Sequence, residues 1–182
     1  MAINIYDQFT NPVTGEVFKG ISITPYVFKM QWIKKAGNDH AALPHIHVNQ
    51  DEIFYVNKGE LKLLVKDREY TAGPGEKIIV GKGKSHVVVN STDELDITLE
   101  YRPPLDYEKF LQCYEGLVND RYIDDKGFVD IRMMAYFIKK MKCQSMTIPA
   151  GISANKFKLL LHKYYLLGMM KGWNKLYMKY TQ

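Results

Sequence analysis

The sequence of 182 residues has little cysteine and no long apolar run. Two thiols, Cys113 and Cys143, do not make a disulfide framework, and free thiols are typical of a reducing compartment. The first ten residues include Asp7 and lack the apolar stretch of a secretory signal. No segment approaches the roughly 20 apolar residues that a membrane-spanning helix needs. We therefore expect a folded cytoplasmic protein.

Acidic residues are absent from the C-terminal part of the chain. Residues 131–182 contain nine lysines and one arginine but neither aspartate nor glutamate. This segment has a formal charge of +10 against −5 for residues 1–130, which together give the +5 of the whole chain. Such an asymmetry bears on partners and surfaces rather than on the fold.

The residues that are present divide the chain into a β-rich part and a helical part. Short alternating segments with glycine-containing turns fill residues 1–102, and the longest candidate strand is Ile21–Ile33. Pro103 and Pro104 end this pattern. Helices are predicted over 106–118, over 130–142, and from Ser153 to about Tyr180 with weak points at Gly168 and Gly172. We therefore expect a mainly β domain over 1–104 and a helical C-terminal extension over 105–182.

Three histidines and one glutamate form the most informative pattern in the sequence. His45 and His47 are two residues apart in a candidate strand, so their side chains lie on one face. Glu52 opens the next strand and His86 a third, and both can point to the same interior. Imidazole and carboxylate ligands suit one divalent ion such as Mn, Fe, Ni, Zn, Cu or Co, with about two coordination positions left open.

These residues carry a resemblance to the cupin superfamily. The run His45-x-His47, four residues, Glu52, six residues, Gly59 resembles its first motif. A second motif runs from Gly75 through Gly81-x-Gly83 and His86 to Asn90, with Gly81 where proline is usual, and Gly37 lies where the first motif often starts. The resemblance places the motifs within 37–90. It implies a double-stranded β-helix, or jelly-roll barrel, in which His45, His47, Glu52 and His86 bind the metal.

Asn90 has two interpretations that the sequence leaves open. It is either a turn or interior hydrogen-bonding residue, or a group that supports the metal ligands from behind.

The lysine-rich C-terminal helix also has more than one interpretation. At 100° per residue its apolar residues fall in one arc, with His162 as a packing residue, and four lysines fall opposite. This arc packs on the barrel or on a second protomer, or it lies on an anionic membrane surface. The aromatic residues are not interleaved with the lysines, which argues against nucleic-acid binding. The apolar arc comprises Leu159, Leu166, Met169, Met170, Trp173, Leu176, Tyr177 and Tyr180.

Two functions fit these patterns. The first is a metal-dependent enzyme, an oxygenase or isomerase, that acts on a small molecule in the barrel. The second is a non-catalytic module that senses a small ligand, with the tail used for dimer or membrane-surface contact. A homodimer is expected in either case, because an open sheet edge needs covering.

Overall fold

The computed structural model of the protein describes residues 4, 6–37, 43–89, 93–141 and 147–182, and for Thr147 the backbone alone. The β-part contains ten strands: β1 (Phe9–Thr10), β2 (Val17–Ile23), β3 (Phe28–Lys34), β4 (His45–His47), β5 (Asp51–Lys58), β6 (Leu61–Val65), β7 (Arg68–Ala72), β8 (Lys77–Val80), β9 (Ser85–Val88) and β10 (Leu95–Arg102). The C-terminal part contains α1 (Tyr107–Asn119), α2 (Ile131–Lys140), β11 (Thr147–Pro149), α3 (Ala154–Lys171) and α4 (Asn174–Thr181).

The strands form two antiparallel sheets. One has the order β1-β2-β3-β10-β5-β8 and the other the order β11-β4-β9-β6-β7. Alternation along β3 buries Phe28, Met30 and Trp32, and these side chains pack with Ile97 of β10 and Leu63 of β6 in one core. The predicted jelly-roll barrel with a helical C-terminal extension is confirmed.

The predicted long strand Ile21–Ile33 is wrong in its extent. The structure divides it into the end of β2 and most of β3, which pair as a hairpin. Between them the backbone N–H of Thr24 donates to the carbonyl of Val27, and the N–H of Val27 donates to the Thr24 hydroxyl. Pro25 lies inside this turn, where its missing N–H costs the sheet no hydrogen bond.

The helices begin close to their predicted caps. The Asp130 side chain accepts from the backbone N–H of Arg132 at the start of α2, and the Ser153 hydroxyl accepts from that of Lys156 at the start of α3. Gly172 adopts a left-handed conformation, with φ of 71°, and ends α3. The predicted single helix up to Tyr180 is therefore two helices.

The predicted apolar arc of the C-terminal helix divides into buried and exposed residues. Tyr177 and Tyr180 are buried, whereas four residues of α3 are exposed: Leu159, Leu166, Met169 and Met170. His162 is also exposed, so its predicted packing role is wrong. The face that α3 buries instead contains Phe157, Leu161 and Gly168, and it packs on α2.

The extension is joined to the barrel through a strand. β11 pairs with β4 in antiparallel register, with Ile148 opposite Ile46 and Pro149 opposite His45. In addition, Tyr107 and Leu111 of α1 belong to the hydrophobic core of the barrel. None of the helices in the described part of the chain is both long and apolar enough to cross a membrane.

Candidate metal centre

The four predicted ligands are brought together by three strands. His45 and His47 share the inner face of β4, His86 on β9 pairs directly with His45, and Glu52 enters from β5 of the other sheet. One ligand atom from each of the four side chains lies within 4.8 Å of the others. His47, Glu52 and His86 are buried and His45 is half-buried.

The distances between these atoms fit a common ion. Glu52 Oε2 lies 2.7 Å from His86 Nε2 and 3.1 Å from His47 Nε2. His45 Nε2 lies 3.2 Å from His47 Nε2. Metal–ligand bonds of about 2.1 Å place neighbouring ligand atoms about 3 Å apart and opposed ones about 4.2 Å apart in octahedral geometry. The donor set therefore has the size and chemistry of a divalent-metal site.

Backbone carbonyls orient two of the imidazole rings. His45 Nδ1 donates to the Leu43 carbonyl at 2.8 Å, and His86 Nδ1 donates to the Lys84 carbonyl at 3.1 Å. A donating Nδ1 leaves the lone pair on Nε2, the atom that points into the cluster in both rings. This arrangement is the usual way in which proteins fix the tautomer and direction of a metal-binding histidine.

The pKa shifts of His45 and Glu52 suit metal binding, whereas that of His86 favours the protonated ring, which would have to lose its proton to bind a metal. Burial, together with the neighbouring imidazoles, lowers the pKa of His45 to about 4, so this ring is neutral near pH 7. Burial alone would raise the pKa of Glu52, but the charge and hydrogen bond of His47 and the hydrogen bond of His86 outweigh it and hold this pKa well below its usual value. Burial alone would lower the pKa of His86, but its hydrogen bond to Glu52 outweighs burial and raises it. A neutral imidazole and an ionised carboxylate are the ligand forms that metals require.

Two phenols that the sequence interpretation missed lie against the cluster. Tyr101 stands opposite Glu52 in the β10–β5 pairing and hydrogen-bonds to it. Tyr107, at the start of α1, stacks on Tyr101 with ring centroids 3.7 Å apart and donates its hydroxyl to that of Tyr101 at 2.9 Å. Burial and the Glu52 charge raise the pKa of both phenols, so they stay protonated. The alternation of β10 predicts that Tyr101 points inward, whereas Tyr107 reaches the site only through the packing of α1.

The cluster opens into a cavity of about 860 Å³ that all four side chains help to line. Cavities of about 300–1,000 Å³ are typical of small-molecule sites. Asn90, the remaining predicted site residue, lies outside the described residues, so both of its interpretations stay predictions.

Comparison with known families identifies one segment of the chain. Residues 34–99 match the sequence model of the family described as the cupin domain. This segment of the chain is a cupin domain. All four clustered residues lie within the matched cupin segment, which ends before the helical extension begins.

Several solved structures are similar to part of the chain. KdgF from Halomonas sp. is 20% identical, with a TM-score of 0.49 over 56% of this chain and 92% of KdgF. EutQ from Clostridium difficile is 23% identical, with a TM-score of 0.42 over 51% of this chain and 66% of EutQ. PAC13 from Streptomyces is 15% identical, with a TM-score of 0.44 over 54% of this chain and 77% of PAC13. No curated protein matches the chain.

Proposed function

We propose that the protein is a metal-dependent cupin that holds one divalent ion through His45, His47, Glu52 and His86 and binds a small molecule beside it. The observation that carries this proposal is the convergence of four ligand atoms within 4.8 Å, from side chains that line a cavity of about 860 Å³. These three imidazoles and one carboxylate would hold the ion and would leave coordination positions for oxygen atoms of a bound small molecule. The same ligands accept Mn, Fe, Ni, Zn or Cu.

An enzyme of oxygenase or isomerase type is the function that these side chains support best. A bound ion would supply a Lewis acid for oxygen atoms of the substrate. Tyr101 and Tyr107 form a chain of hydroxyls that ends on the Glu52 carboxylate. This chain can hold a proton at the Tyr101 hydroxyl, next to the position where the substrate would sit, and both rings help to keep water out of the site.

Metal analysis of a matched pair of variants tests the metal site. Protein purified without chelator or nickel resin is expected to contain about one ion per chain. His86→Ala removes a buried ligand and is expected to lose most of this metal. His162→Ala, a change of the same type at an exposed position of α3, is expected to retain it. A metal-free wild-type protein, or equal metal in the two variants, would reject the site.

A ligand sensor without catalysis is the second candidate function. It draws support from the extension, which contacts the cluster through Tyr107 and β4 through β11 and could therefore transmit binding to a partner. Oxygen consumption and product analysis with a panel of small metabolites distinguish the two functions. Turnover that disappears in His86→Ala supports the enzyme, whereas saturable binding without turnover supports the sensor.

A further inference from the structure

The cavity extends well beyond the metal ligands, into the space between the barrel and the helical extension. We call this space the chamber. Its barrel wall includes Phe18, Trp32 and Phe54, and its opposite wall comes from the extension, with side chains of α1, α2, β11 and α3. Side chains of the extension wall include Phe110, Ile123, Met134, Ile138, Pro149 and Phe157. The size and shape of the chamber therefore depend in part on residues outside the segment that matches the cupin family.

The chamber walls are mainly apolar and aromatic, and several of their charged groups already have partners. Glu16 accepts from the Trp32 indole N–H at 3.1 Å and from the Thr14 hydroxyl at 2.9 Å. Farther along, Arg132 and Asp130 pair with each other through 2.6 Å and 3.0 Å contacts. A polar or charged ligand body could form hydrogen bonds to these groups only by breaking their existing interactions. Without such hydrogen bonds its burial costs free energy, a cost that an apolar body avoids.

We infer that the ligand is amphipathic: an oxygen-bearing head at the metal centre and an uncharged apolar body, alkyl or aromatic, in the chamber. The position of the head rests on the proposed function, whereas the position of the body rests on the chamber walls alone. The extension then takes part in selecting the ligand, because it supplies many of the apolar side chains that line the chamber.

A pair of chelators with the same head and different tails tests the inference. Acetohydroxamic acid and octanohydroxamic acid present the same two oxygens and differ by six methylene groups. Calorimetric titration of the Zn²⁺-loaded full chain is expected to give at least about 100-fold tighter binding of the longer compound, since each buried methylene is worth about fourfold.

A substitution that fills the chamber supplies the matched control. Ile123→Trp places a large ring in the extension wall and is expected to weaken octanohydroxamate at least about tenfold while leaving acetohydroxamate unchanged. Ile79→Trp, at an exposed position on β8, is expected to change neither. Retained acetohydroxamate binding shows that a variant is folded. If Ile123→Trp loses it, Val129→Trp at the bridge partner of Ile123 makes the same test.

The outcomes separate the chamber from the metal centre. Equal affinity of the two hydroxamates for Zn²⁺-loaded protein, or equal effects of Ile123→Trp and Ile79→Trp, would overturn the inference and leave the proposed function intact. Failure to take up Zn²⁺ would overturn the proposed function. In that case metal-free protein still tests the chamber, where preference for the longer compound supports the apolar body and its absence overturns it.

Discussion

Glu115 is a buried carboxyl group whose surroundings do not favour its charge. It lies on the buried face of α1, and its Oε2 atom has no hydrogen-bond partner among the described residues. Burial raises its pKa to about 7, and the nearby charge of Asp7 adds to this. The folded protein therefore binds a proton that the unfolded chain, with an ordinary glutamate, releases near pH 4.5. Its contribution to stability is fully present below pH 4.5 and is lost as the pH rises through 7.

Replacing Glu115 by glutamine is expected to remove this pH dependence. Glutamine cannot ionise, so Glu115→Gln should be more stable than the wild type at pH 8, by on the order of 1 kcal/mol, and nearly equal to it at pH 4.5. Urea unfolding at the two pH values measures the difference. Glu69→Gln on the exposed strand β7 is the control and should show little change at either pH. A difference that is the same at both pH values would contradict the expectation.

At the scale of single residues, the sequence predicted which four side chains come together but not the residues that surround them. The positions of His45, His47, Glu52 and His86 follow from strand alternation and motif spacing, which are local properties. Tyr107 reaches the site only because α1 folds back onto the barrel, and no local pattern encodes that contact. Whether the four side chains bind metal stays a prediction.

Two helix glycines permit close packing between helices. A Cβ atom on Gly116 of α1 would lie 2.3 Å from the Tyr180 ring, and one on Gly168 of α3 would lie 2.2 Å from the Tyr136 ring. Tyr136 and Tyr180 are both almost fully buried. A ring with nowhere to move cannot relieve such an overlap.

Gly116→Ala is therefore expected to destabilise the protein although alanine favours helices. Overpacking against Tyr180 should cost about 1–3 kcal/mol, which exceeds the helix-propensity gain of about 1 kcal/mol. Gly73→Ala is the control, because its Cβ would meet its nearest neighbour at an ordinary 3.7 Å. Urea unfolding checks both, and an unchanged or raised midpoint for Gly116→Ala would show that α4 can shift.

The exposed face of α3 combines apolar residues with positive charge. Leu159, Leu166 and Met170 are spaced by seven and four residues, so they lie on one side of the helix, and their side chains are 69%, 50% and 87% exposed. Lys163, four residues after Leu159 and three before Leu166, lies beside them and not opposite them as predicted. Residues 131–182 carry no acidic residue. An anionic lipid surface complements both features, whereas a second copy of the same helix would bring like charges together.

Vesicle sedimentation is expected to detect this surface. The full chain should bind phosphatidylserine-containing vesicles more than pure phosphatidylcholine vesicles, and less at high salt. The double variant Leu166→Gln/Met170→Gln should lower the bound fraction about tenfold through lost apolar burial. Ile79→Gln, on the exposed face of β8, serves as the matched control. Equal sedimentation with both lipids would discard the membrane interpretation.

At the scale of elements, the sequence predicted those boundaries that depend on local signals and missed those that depend on distant partners. Asp130, Ser153 and Gly172 act through local cap geometry, so the sequence indicated helix boundaries well. β11 has three residues and no hydrophobic period, and it exists because it pairs with β4, a segment about 100 positions earlier in the chain. The buried face of α3 is likewise decided by its packing on α2. A helical projection of the sequence of α3 contains no information about that neighbour.

At the scale of the whole molecule, the β2–β3 hairpin leaves an apolar edge. β1 pairs only with Val17 and Phe18, so within the described residues β2 has no partner on that side from Lys19 onward. Ile21 and Tyr26 are 45% and 79% exposed there. Open edges with apolar side chains favour pairing with another chain.

We therefore expect a homodimer through this hairpin. Light scattering should give about twice the chain mass of 21.1 kDa, and Ile21→Asp should shift the protein toward monomer by placing a charge in the contact. Ile79→Asp, also exposed but on another strand, should leave the dimer intact. A monomer at all concentrations would contradict the expectation.

The pairing of β11 with β4 has a consequence for the whole chain. His45 and His47 lie on β4, which pairs with β9 on one side and with β11 of the extension on the other. The backbone that holds these two rings is therefore not at the edge of the sheet. Only four residues separate β11 from α3. A displacement of α3 would therefore be transmitted to the backbone beside these rings. We therefore expect binding at the outer helices and binding at the four-residue cluster to affect each other through this strand.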